Sequence, residues 1–181
     1  MSLRKEISQA VQTRLAAGES KADIYNALKG KYSPRSVEFS LAQWPEAALK
    51  KQHRQQNVPL VVIAVFFTLL KILQMTAIFR VLDPGQRTAF IPVAALPILI
   101  YLFVIYGVAN CNLIGYILLI LLSIQNMVNL VQVGLSDPKM MMVLGLSGAA
   151  ILLVILQKRR LFPNTSWILR QKRDSDGNPI F

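Results

Sequence analysis

Carboxylates are almost absent from the apolar middle of this chain. Between Val58 and Gln157 only Asp83 and Asp137 occur, each just before a proline in a turn-like stretch. Cysteine and histidine occur once each, as Cys111 and His53. A lone cysteine forbids an intrachain disulfide and leaves the redox compartment open. His53 has no Cys or His companions, so no soft or imidazole metal site is expected, and no other cofactor. Ser123 and Ser147 lie in apolar runs that hold no His, Asp or Glu. A membrane hydrolase needs a nucleophile with a base, or a metal cluster, and neither is present there. Lys71 is the one base available to a serine dyad, and only coexistence supports that pairing. The chain is expected not to be an enzyme.

What is present is hydrophobicity, in blocks. Apolar residues make up 54% of the 181, and mean hydropathy is +0.44. They gather in runs at 58–79, 88–109, 113–133 and 140–156, in which Lys71 is the only charged side chain. Each run has about the 17–25 residues that a helix needs to cross a bilayer core. A soluble domain would spread the same residues at helical or strand period. The expected fold is all-α: a polytopic membrane protein whose four-transmembrane-helix bundle (58–157) follows a small cytoplasmic N-terminal helical domain (1–57). A basic tail (158–181) completes it. The first run starts too late for a secretory signal peptide and is expected to be a retained anchor.

The net charge of +11 sits at the two ends. Lys50, Lys51 and Arg54 precede the first run; Lys158, Arg159 and Arg160 follow the last. Between the runs stand only Arg80, Arg87 and Lys139. The positive-inside rule then puts both termini in the cytoplasm, as an even number of spans also requires. The basic flanks suit anionic lipid headgroups. The lack of outer domains suits a bacterial inner membrane.

Within 1–57, Leu3, Ile7, Val11 and Leu15 line one helical face, which Gly18 ends. Ser20 to Asp23 resembles a capping box for a second helix, ended by Gly30. Ser33-Pro34 starts a third, and Trp44-Pro45 ends it. A polar helix over 45–57 then leads into the first run. Helix, turn, helix is also the outline of a DNA reader. The third helix, however, offers only Arg35 beside Glu38, so nucleic acid is disfavoured as a partner. Tight turns are expected at Asp83-Pro84-Gly85, Asn110-Cys111-Asn112 and Ser136-Asp137-Pro138. Residues 167–173 and 179–181 suggest a weak hairpin or an extended arm. Met140, Met141 and Met142 read as lipid contacts rather than a copper(I) site.

Lys71 is the anomaly. It lies about 20 Å along the first helix, too deep to snorkel fully. Such a lysine costs roughly 2.5–3.5 kcal/mol at mid-membrane and should face protein or a wet cavity. The third run travels in the same direction, and counting by depth puts Asn126 level with Lys71. Gln125, Asn129, Gln132 and Ser136 form one helical stripe, and Gln74 adds another amide. At the same depth the fourth run has Gly145, Gly148 and Ala149, small residues that permit close helix contact. The second run has Ala94, Ala95 and Pro97. Three roles fit this layer: interhelical glue, the lining of an oligomeric pore, or a proton- or ligand-sensitive switch.

The functional expectation is a small non-enzymatic inner-membrane protein acting through protein partners. It would be the membrane subunit of a multi-protein system or a toxin-immunity protein. Its partners would be the anionic bilayer surface, a protein docked on the cytoplasmic segments, and further copies of itself. The alternative is a homo-oligomeric pore lined by the stripe of the third run.

Overall fold

Local chemistry sets the first helices. Gly18 takes a left-handed φ of +86° and ends α1 (Leu3–Ala16). The Ser20 hydroxyl then caps α2 (Lys21–Leu28), accepting from the Asp23 N–H at 3.2 Å and donating to its carboxylate at 2.6 Å. Pro34 occupies the first position of α3 (Pro34–Gln43), and Trp44, held extended by Pro45, closes it. Ile7, Val11 and Leu15 pack on Ile24, Leu28, Val37 and Leu41 as one apolar core. A short α4 (Ala47–His53) and a 3-10 turn (Gln55–Asn57) follow, so the chain enters the first long helix through a break rather than as one rod.

In this computed structural model, residues 3–133, 138–175 and 178–181 are described, without the side chains of 131–139. Four long helices follow the first core: α5 (Val58–Val81), α6 (Pro84–Ala109), α7 (Leu113–Val133) and α8 (Pro138–Leu161). Each is long and apolar enough to cross a membrane. Two boundaries differ from the sequence expectation. The stretch 80–87 is not mainly turn: Pro84 starts α6 directly after Asp83, whose N–H donates back to the Gln86 side chain at 3.4 Å. And α8 continues beyond residue 156, so Lys158, Arg159 and Arg160 ride on its last turn, where cations suit the helix dipole. The turn expected at 136–138 falls largely outside the described residues.

The long helices pack along seams with alternating spacings of three and four. On α5 the seam is Leu60, Ala64 and Phe67, with Asn57 just before it; on α6 it is Tyr101, Val104 and Val108. On α7 it is Tyr116, Leu119 and Ser123, and on α8 Ser147, Ala150, Val154, Gln157 and Leu161. All of these are buried, and all lie in the half of the bundle nearest the amino-terminal helices. This is knobs-into-holes spacing between antiparallel neighbours. In the far half most side chains of α5 and α6 are exposed.

The α6–α7 hairpin is the tightest point. Cys111 sits at φ +58°, and the Asn112 side chain accepts from the Ile114 N–H at 2.8 Å to start α7. Gly107 and Gly115 meet across the hairpin so closely that a Cβ on Gly115 would fall 2.6 Å from the Gly107 carbonyl carbon.

The tail folds back over the amino-terminal helices. Antiparallel bridges join Thr165 to Gln171 and Arg173 to Pro179. Arg173 pairs with Glu38 at 3.3 Å, and the Phe181 ring lies 5.1 Å from that of Tyr25. Where tail, α4 and α8 meet, Lys21 is buried near Glu46, with its ammonium 5.8 Å from the Phe162 ring centre. Burial pushes its pKa down to about 8, against a smaller opposing pull from Glu46. Between about pH 8 and the ordinary lysine value the unfolded chain then holds a proton that the folded chain lacks, so stability rises with pH across that window. Lys21→Met is expected to be the more stable protein at pH 7, by an amount on the order of 3 kcal/mol at most. The advantage should shrink by pH 10, as read by thermal unfolding in detergent at both pH values.

A polar cavity between the four long helices

Continued one step further, three of the four packing seams run into a polar or helix-breaking residue. On α5 the next seam position is Lys71, on α6 Pro97, on α7 Asn126 and on α8 Val143. There the helices no longer close on one another. A cavity of about 420 Å³ opens between them, and all four of these residues line it.

Five of the residues expected to share one depth do line this space: Lys71, Gln74, Gln125, Asn126 and Asn129. The Lys71 ammonium donates to the Gln74 side-chain oxygen at 3.1 Å. Lys71 and Asn126 are half-buried, because they sit on the seam; Gln74, Gln125 and Asn129 are exposed on its flank. Gln132 is on α7, but its side chain lies outside the described residues. Phe67 and Tyr101, both buried, form the floor. The Tyr101 hydroxyl donates to the Asn126 side-chain oxygen at 3.5 Å. Sequence reasoning missed Tyr101 because a tyrosine in an apolar run carries no depth signal of its own. Its position on the seam, one step from Pro97, would have found it.

The small residues of α8 lie on more than one face. The buried ones are Ser147 and Ala150, a different face from Gly145 and Ala149. Among the described residues nothing lies within 4 Å of a Cβ built at Gly145 or Gly148. Close backbone approach occurs at Gly107 and Gly115 instead.

The basic flanks are not equivalent either. Lys51, Arg54, Arg159 and Arg160 are exposed and Lys50 is half-buried. Arg160 donates to the Gln56 side-chain oxygen at 2.5 Å. Lys158 is buried: its ammonium donates to the Thr165 carbonyl and lies 5.3 Å from the Trp167 ring centre. It fastens the tail to α8 before it can serve any headgroup.

Beneath the cavity floor lies a second polar group of residues that the sequence did not announce. The Asn57 amide donates to the Val108 carbonyl and contacts the Cys111 sulfur at 3.8 Å, and its oxygen accepts from the Tyr116 hydroxyl at 2.7 Å. Asn57, Cys111 and Tyr116 are all buried. This cluster ties the start of α5 to the α6–α7 hairpin, and none of its residues lines the cavity. Its role is structural.

The chain is thus an all-helical protein with four helices able to span a membrane and a cavity between them that polar side chains help to line. Compared with protein-family models, curated proteins and solved structures, it matches none.

Proposed function

We propose that this is an integral membrane protein of the bacterial inner membrane, with both termini cytoplasmic, that acts without catalysis by holding a protein partner. The cavity receives a polar stretch of the partner's transmembrane segment, while the amino-terminal helices and the tail dock its cytoplasmic part. It is either the membrane subunit of a multi-protein system or a protein that disarms a membrane-inserting toxin.

One observation carries the reading. The cavity presents an ammonium and four side-chain amides in apolar surroundings, and none of its lining residues is a carboxylate. Within a bilayer an ammonium is stabilised by a counter-ion. An acidic side chain on a partner helix supplies one, and the exposed amides satisfy neighbouring polar groups. The buried Phe67 and Tyr101, where the packing seams close, also argue against passage through a single chain.

A photo-crosslinking residue in place of Gln125 is expected to capture a partner's transmembrane segment in native membranes. Lys71→Leu should cut that capture at least about tenfold, the loss expected from roughly 1.4 kcal/mol, while insertion persists. Capture that ignores Lys71→Leu would refute the proposal. So would purified protein that conducts ions in planar bilayers with a selectivity altered by Asn129→Ala, a result that would establish the pore.

A further inference from the structure

A second, separate cavity lies between α7 and α8, at the end nearest the amino-terminal helices. It holds about 550 Å³. Its walls are aliphatic: Ile117, Ile120 and Leu121 from α7, Ile151 and Ile155 from α8. Its mouth is Lys158, Arg159 and Trp167. From Ile151 to Arg159 the slot runs about 12 Å along the helix axis at 1.5 Å per residue.

We infer that this groove binds an anionic phospholipid, with the phosphate on Arg159 and an acyl chain in the slot beneath Trp167. Three features support that occupant over a protein helix or a neutral lipid. Arg159 is exposed and makes no hydrogen bond or ion pair among the described residues, so its planar donor fork is free for phosphate oxygens. Neither α7 nor α8 contains an Asp or Glu to compete for it. Trp167, 40% exposed, is held at the mouth by the Lys158 contacts described above, and an amphipathic ring is suited to the boundary between acyl chains and headgroups. Basic pockets between membrane helices on the cytoplasmic side recognise anionic headgroups for the same electrostatic reason. The inference requires the helices to lie in a bilayer. It does not require that the polar cavity takes a partner, because the two cavities share no lining residue.

The test is native mass spectrometry of the full chain from micelles containing equal phosphatidylglycerol and phosphatidylcholine. Phosphatidylglycerol is expected to be retained preferentially. R159Q should weaken its retention about fivefold, the effect of one surface cation near a membrane. Because Arg159 holds nothing else in place, R159Q leaves the fold intact. Ile155→Trp, which fills the slot, should also release the lipid, whereas Arg80→Gln at the opposite end of the bundle should leave retention unchanged. Equal retention of the two lipids, or an R159Q protein that holds phosphatidylglycerol as well as the wild type, would overturn the inference. A result confined to Trp167→Ala with phosphatidylcholine would overturn it too, since the site would then be a choline-on-indole contact.

Discussion

Gly115→Val is expected to cost roughly 3 kcal/mol or more and to yield protein that aggregates on extraction, because the side chain has nowhere to go. A Cβ at this position would stand 2.6 Å from the Gly107 carbonyl carbon and 2.7 Å from both the Gly107 Cα and the Val108 nitrogen. These are backbone atoms of a hairpin pinned by Cys111 and Asn112, so no rotamer change relieves the overlap. Relief requires α6 and α7 to part, and that would unpack Tyr116, Leu119, Val104 and Val108 together. Gly107→Val should behave alike, since a Cβ there would lie 2.7 Å from the Gly115 Cα. Gly145→Ala is the control. Nothing among the described residues lies within 4 Å of its Cβ, so it should be neutral, or stabilising by about 0.5–1 kcal/mol through helix propensity. Monodispersity by size exclusion and unfolding temperature in detergent separate the three proteins. A well-folded Gly115→Val would mean that α6 and α7 do not cross at this distance.

The contrast between these glycines shows what was legible in the sequence and what was not. Run length and hydropathy place the four long helices, because bilayer thickness and helix rise fix how many apolar residues are needed. Depth is likewise a one-dimensional count, and it brings Lys71, Gln74, Gln125, Asn126 and Asn129 to one level, where all five line one cavity. Azimuth is harder. A helix that is apolar all round gives no stripe to say which face packs. Gly145 and Ala149 therefore looked like a contact face, although the buried face of α8 within the bundle is nearly opposite, at Ser147 and Ala150. Gly107 and Gly115 were readable by another route: they stand equidistant from Cys111, the middle of the turn, so an antiparallel hairpin must bring them level. Asn57 was hidden for a different reason. It sits where the polar segment meets the apolar run, a place where an asparagine looks like an ordinary surface residue.

Asn57→Ala is expected to destabilise the protein by about 2–4 kcal/mol, more than its position at a helix boundary would suggest. The substitution removes two kinds of bond at once. The Tyr116 hydroxyl loses its acceptor at 2.7 Å, and the α6–α7 hairpin loses the amide that reaches the Val108 carbonyl. The carbonyl is not orphaned, because the Cys111 N–H also donates to it at 3.0 Å. The hydroxyl keeps only the Cys111 sulfur, a weak acceptor, with Tyr116 fully buried, and a poorly satisfied buried donor costs about 1–3 kcal/mol by itself. That asymmetry makes a double-mutant cycle decisive. Tyr116→Phe alone should cost about 1–2 kcal/mol, since it strands the Asn57 oxygen. In the Asn57→Ala background the same change should be close to neutral or even favourable, because it removes the poorly satisfied hydroxyl. The coupling between the two sites is therefore expected to be about 1–2 kcal/mol, within the range for residues in direct contact. Chemical unfolding in micelles gives all four stabilities. Strict additivity would mean that the two side chains do not meet, and that α5 is joined to the hairpin by apolar packing through Leu60 and Ala64 alone.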